Sequence, residues 1–84
     1  MRHRANAKFW RFYEQLPKEI QELADKNYEL LKRDTRHPSL HFKKAGEFWS
    51  ARVGSHHRAL ARWNENEVEW FWIGGHDEYE DLIR

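Results

Sequence analysis

Phe9, Phe12, Tyr13 and Leu16 recur at i, i+3, i+4 and i+7, the apolar stripe of a short helix. Pro17 closes that stretch and suits the first turn of a second helix, where its missing N–H would have no partner anyway. Ile20, Leu23, Ala24, Leu30 and Leu31 carry the 3.6-residue rhythm onward, with Tyr28 beside them. Glu22/Lys26 and Glu29/Arg33 add i,i+4 pairs with the acid first, the favourable order. This helix is expected to stop by Asp34, because His37 precedes Pro38 and is pushed toward extended geometry. The two helices are expected to form a hairpin.

Beyond Pro38 the period changes to two. Trp49, Ala51 and Val53 share one face of a strand, with Ser50 and Arg52 on the other. His57 to Trp63 divides likewise: Ala59, Ala61 and Trp63 oppose Arg58, Leu60 and Arg62. Gly54-Ser55 and Asn64-Glu65-Asn66 supply the turns. Val68 to Ile73 reads as a third strand buried on both faces. Gly74-Gly75 is expected to break it, and Asp77 to Ile83 reads as a terminal helical turn. The predicted fold class is α+β: an N-terminal helical hairpin on one face of a small antiparallel sheet, with a short C-terminal helix. In this register Arg52 and Arg58 lie together on the face away from the hairpin.

Length and composition narrow the function. The 84 residues suffice for one domain, residues 1–84, which must fold around a small core. Five Trp, five Phe and three Tyr compensate, since each ring buries roughly 150–250 Å². No Cys is present, which excludes disulfides, thiolate zinc sites and thiol catalysis. No apolar run reaches the roughly 18 residues of a membrane span, and no signal-peptide core follows Met1, so a soluble cytoplasmic domain with no membrane partner is expected.

Net charge is only +1, but its distribution is uneven. Residues 32–62 hold eight Lys/Arg against two acids, and four of the six His, whereas residues 63–83 hold seven acids and no Lys or Arg. Such segregation can build a basic face for an anionic ligand on a nearly neutral protein. Metal binding is not expected: Pro38 and the extended reading of Leu40-His41-Phe42 forbid the helix that His37 and His41 would need, and His56 and His57 point apart on a strand. There is no phosphate-cradling Gly-rich loop and no nucleophile elbow, so no cofactor is implied.

What remains is a set of His, Arg, Lys and Tyr. Cleavage of RNA without a metal needs such a set: a base for the ribose 2′-OH, a cation for the charge on phosphate oxygen, and an acid for the departing 5′-oxygen. His serves as base or acid near neutral pH, and Arg offers a fixed fork to phosphate. Taken singly, each of these residues reads better as a solvated or capping surface group; it is the set that points to chemistry.

Several segments together resemble the RelE/ParE superfamily of bacterial toxin–antitoxin toxins. They are Phe9-Trp10…Tyr13…Leu16-Pro17-Lys18-Glu19-Ile20, Arg36-His37-Pro38-Ser39-Leu40-His41-Phe42-Lys43-Lys44 and Phe48-Trp49-Ser50-Ala51-Arg52-Val53. His57-Arg58-Ala59-Leu60 and Trp70-Phe71-Trp72-Ile73-Gly74-Gly75-His76-Asp77-Glu78-Tyr79 continue the likeness, which spans residues 8–83. The resemblance implies a sheet bearing an RNA-binding concavity. In the RelE branch it implies a metal-independent endoribonuclease acting on mRNA, mostly on the ribosome, and neutralised by a cognate antitoxin.

By the same resemblance Arg58 is the phosphate-stabilising cation, and His76 the acid or base with His41 as its complement. Tyr79 is the C-terminal aromatic that stacks or assists proton transfer. Lys43, Lys44, Arg52 and His56 are the RNA contacts. Two alternatives stand beside this reading: a ParE-like inhibitor of DNA gyrase without nuclease activity, and a degenerate antitoxin-binding scaffold. The chain departs from the family in three places. Only eight residues precede Phe9, so a first strand is expected to be a stub or absent. Ser50 occupies a position that is often Lys, and Asp77-Glu78-Glu80-Asp81 makes the ending acidic.

Overall fold

The computed structural model describes residues 2–84. The chain opens not on the helical pair but on a strand, β1 (Arg2–Ala5). The Asn6 side chain accepts a hydrogen bond from the Phe9 N–H at 3.0 Å and so caps α1 (Ala7–Tyr13). α1 ends three residues earlier than its apolar stripe, because the N–H groups of Gln15 and Leu16 turn back to the carbonyls of Phe12 and Tyr13. α2 (Lys18–Arg33) starts directly after Pro17 and stops at Asp34, as its sequence requires. Gln21 donates its side-chain amide to the Tyr13 and Leu16 carbonyls, and the Tyr13 hydroxyl donates to Asp25 at 2.7 Å, tying α1 to α2.

The segment after His37 is not extended from its start: Pro38–Leu40 forms a 3-10 turn. Pro38 sits at its first position, the His37 ring accepts from the Ser39 N–H, and His41 ends it in the left-handed region at φ 46. The strands β2 (Lys43–Ala45), β3 (Phe48–Val53), β4 (His57–Asn64) and β5 (Glu67–Gly75) follow, and α3 (His76–Leu82) closes the chain.

The five strands lie in the order β1-β5-β4-β3-β2. The sheet is mixed rather than antiparallel throughout: the short first strand pairs in parallel with β5, Arg2 opposite Glu67 and Ala5 opposite Trp70. Gly74 and Gly75 do not break β5 but end it in register with Arg58 and His57. Gly74 is needed there because a Cβ would stand 2.5 Å from Cζ2 of Trp72.

A bulge organises β5. Leu60 pairs with Trp72 and Ala61 with Trp70, leaving Phe71 as the extra residue. Val68, Trp70 and Ile73 therefore face the helices, while the consecutive Phe71 and Trp72 both join the opposite side. Strict alternation would have put Phe71 and Trp72 on opposite faces.

The helix-side core joins Ala51, Val53, Ala59 and Ala61 to Phe9, Ala24, Leu31 and Leu40, with Leu16, Ile20 and Leu23 packed against it. Small alanines let the helices approach, as the sequence register predicts, and each large apolar side chain buried there contributes about 1.5–3 kcal/mol. On the far face α3 lays Tyr79 and Ile83 over Leu60, Phe71, Trp72 and Ala45. Leu60, on the nominally polar face of β4, is thus 0% exposed.

Candidate nucleic-acid interface

The far face of the sheet carries the candidate chemistry. Arg52 and Arg58 are direct cross-strand partners, so both project to this face as the alternation predicts. Like charges directly opposite repel, yet no carboxylate pairs with either among the described residues. The two guanidinium groups are held by backbone carbonyls instead. Arg52 Nε donates to the Gly54 carbonyl at 3.0 Å, and Arg58 Nη1 donates to the His57 carbonyl at 2.9 Å. Both keep N–H groups for a ligand. Two unneutralised forks side by side are built for an anion.

α3 supplies the other half. Its first residue, His76, donates its backbone N–H to the His56 carbonyl at 2.9 Å, fixing the helix start beside the β3–β4 turn. The His76 and Tyr79 ring centroids lie 5.7 Å apart, and the Arg58 guanidinium carbon lies 5.8 Å from the Tyr79 ring centre. Tyr79 is 5% exposed, with its hydroxyl donating to Oγ of the buried Ser50 at 3.4 Å. In this arrangement the ring backs Arg58 and is closed to a stacking base. Gly46, at φ 61, admits the far end of α3: a Cβ there would stand 2.7 Å from the Ile83 carbonyl oxygen.

His41 reaches the same face from the chain's opposite side. Its left-handed backbone brings Nε2 within 3.4 Å of Arg52 Nη1. Arg52 thus links His41 to the Arg58–Tyr79–His76 group. Lys43 is in register with Ser50 and flanks the group one strand further out. Lys44 is in register with Trp49, whose ring stacks on Phe42 on the helix side, so the two lysines project to opposite faces. His56 is exposed in the turn below α3. His57 faces away with Val53, and burial, then the neighbouring His56, lowers its pKa.

Sequence reasoning missed Ser50 as the anchor for Tyr79. Its signal was a small hydroxyl between Trp49 and Ala51 on the face predicted to be polar. The site is an open face. A cleft of about 300 Å³ lined by Phe12, Leu16, His57, Trp72, Gly74 and Glu78 lies beyond the first turn of α3 and takes in none of the candidate residues.

This is an α+β fold of one mixed sheet, helices on one face and a basic, α3-flanked surface on the other. No protein-family model matches the chain, and no curated protein does. Solved structures do. A RelB–RelE antitoxin–toxin complex from Methanococcus jannaschii superposes with a TM-score of 0.72 at 14% identity, covering 95% of this chain and 98% of that one. A YoeB/ParE toxin from Agrobacterium tumefaciens gives 0.68 at 18% identity, covering 90% and 99%. The toxin–antitoxin complex RelBE2 from Mycobacterium tuberculosis gives 0.65 at 19% identity, covering 89% and 90%. The chain shares the fold of these RelE and YoeB/ParE toxins.

Proposed function

We propose that this protein is the toxin of a toxin–antitoxin pair and cleaves mRNA as a metal-independent endoribonuclease, with the ribosome presenting the message. The observation that carries the reading is the Arg52–Arg58 pair, abreast on one face, without a carboxylate, and backed by Tyr79. A scissile phosphate seated there would be held through its non-bridging oxygens, where charge builds during attack. One histidine removes the 2′-OH proton as that oxygen bonds to phosphorus, and the other protonates the 5′-oxygen as its bond breaks. His76 and His41 stand at the two ends of the arginine pair and are assigned these roles.

The products are a 2′,3′-cyclic phosphate and a 5′-hydroxyl. Tyr79 positions Arg58 and, if α3 lifts, has a ring to offer a base. Lys43 and His56 are assigned to the RNA strand, Lys43 nearest the phosphate, while Lys44, on the opposite face, is left out of that contact. A cognate antitoxin is the expected protein partner. Two of the similar structures, the RelB–RelE and RelBE2 complexes, are themselves toxin–antitoxin complexes.

The test is cleavage of naked and translated mRNA with mapping of the ends. Arg58→Ala should lower turnover by roughly 10²–10³-fold with little loss of RNA binding, and His76→Ala by roughly 10²–10⁴-fold. An absence of cleavage on both substrates, with inhibition of gyrase supercoiling, would replace this reading by the gyrase one.

A further inference from the structure

One set of groups on α2 is complete in itself. Lys32 Nζ lies 4.9 Å from the Tyr28 ring centre and 3.0 Å from Oε2 of Glu29, so an aromatic face, a carboxylate and a cation satisfy one another. Nearby, the same three-part chemistry is missing one member. Trp10 and Tyr13 of α1 meet edge to face at 5.1 Å, and Asp25 of α2 accepts the Tyr13 hydroxyl at 2.7 Å. Rings and carboxylate are present, but no Lys or Arg pairs with Asp25 among the described residues.

The geometry leaves room for the missing cation. A notch of about 30 Å³ opens between the helices, with Ala5, Phe9 and Ala24 in its apolar lining. Trp10 is 44% exposed, so its ring has a face open to a partner. Asp25 is exposed as well. Negative character is concentrated here: the hydrogen bond to Asp25, then burial, then the charges of Asp25 and Glu22 push the Tyr13 phenol up to about 12. The notch is too small for a nucleotide or a whole peptide segment, but one planar side-chain head can rest over it against Trp10 and Asp25.

We propose that Trp10, Tyr13 and Asp25 form a docking notch for an arginine side chain of a protein partner. The guanidinium stacks on the exposed indole and pairs with Asp25, and its methylene stem lies along the apolar rim. Arginine fits better than lysine because its planar head satisfies ring and carboxylate at once. The notch lies on the helical side of the sheet, away from Arg52 and Arg58, so a partner seated here leaves that face open. The proposal does not depend on the nuclease reading.

The probe is a blocked Leu-Arg-Leu tripeptide, with Leu-citrulline-Leu as its uncharged counterpart, titrated into the ¹⁵N-labelled full chain and followed by NMR. Saturable shifts are expected at the Trp10 indole N–H and at the amides of Tyr13 and Asp25. Citrulline should bind roughly 5-fold or more weakly, and Asp25→Asn or Trp10→Ala should each weaken the arginine peptide by a similar factor. Asp25→Asn is an exposed, isosteric change, so spectral dispersion should be kept. The proposal is overturned by equal binding of the two peptides, by unchanged affinity in Asp25→Asn, by shifts centred elsewhere, or by no saturable shift at millimolar peptide.

Discussion

The His3 ring is the clearest place to test whether the hydrogen bonds of this fold stabilise it as argued. Nδ1 accepts from the indole N–H of Trp70 at 3.1 Å, and Nε2 lies 3.2 Å from Thr35 Oγ1. Because Trp70 can only donate, Nδ1 must be unprotonated; Nε2–H then donates to Thr35, whose hydroxyl donates to the Leu31 carbonyl at 2.9 Å. One neutral tautomer thus joins β1, β5 and the end of α2. Replacing His3 by Phe keeps a ring against Trp70 and Phe42 but strands the indole N–H of a residue that is 2% exposed. Leaving a buried donor unsatisfied costs about 1–3 kcal/mol.

Acid should act on the same group. Burial first, and nearby positive charge second, lower the His3 pKa below its ordinary 6.5. The unfolded chain therefore takes up a proton at a pH where the folded chain does not. The contribution is intact above pH 6.5 and is lost as pH falls below it. Urea unfolding followed by Trp fluorescence, at neutral pH and at mildly acidic pH, separates the effects. His57 is shifted the same way, so His57→Gln is the control. His3→Phe should be less stable at neutral pH and should lose less on acidification than wild type. The reasoning fails if His3→Phe unfolds within about 0.5 kcal/mol of wild type at neutral pH, or if its pH slope is unchanged.

Other outcomes follow from the packing and the charges. Leu31→Ala, at a site 4% exposed, should cost about 2–5 kcal/mol in the same urea assay. Gly74→Ala drives a methyl into the Trp72 ring and should cost about 1–3 kcal/mol, with a changed near-UV circular dichroism signal from the displaced indole. The opposed Arg52 and Arg58 repel in the free protein, so moderate salt should stabilise wild type by up to about 1 kcal/mol. Arg52→Gln should lose that salt response and also cleave RNA more slowly, which thermal unfolding across a salt series and an RNA assay would show together.

The helices and the β3–β4 register were legible because their apolar spacing is regular and their turns carry Pro17 and Gly54. The same regular alternation is enough to put Arg52 and Arg58 on one face. Three features were hidden. β1 is four residues of mixed polarity, and its place depends on Asn6 and Arg2 bonding to Trp70 and Asn66 far along the chain. The bulge at Phe71 is invisible in a run so apolar that either phase would bury it. The third is the path of α3, whose acidic sequence says nothing of the one aromatic, Tyr79, that turns inward onto Ser50. Local pattern carries local geometry; contacts between distant segments need the folded chain.

The parallel pairing of β1 with β5 also governs the order in which the molecule can be assembled. Arg2 to Ala5 have no sheet partner until residues 67–70 have been made, whereas β3 and β4 are joined by a short turn. Contacts of such long sequence separation close late and slowly. During synthesis the β2–β3–β4 meander has its partners at hand early, while β1 waits beside the growing chain. Arg58 receives its Tyr79 backing later still, when α3 settles on the far face. A ribosome making this protein therefore does not complete the Arg58–Tyr79 contact until α3 has emerged.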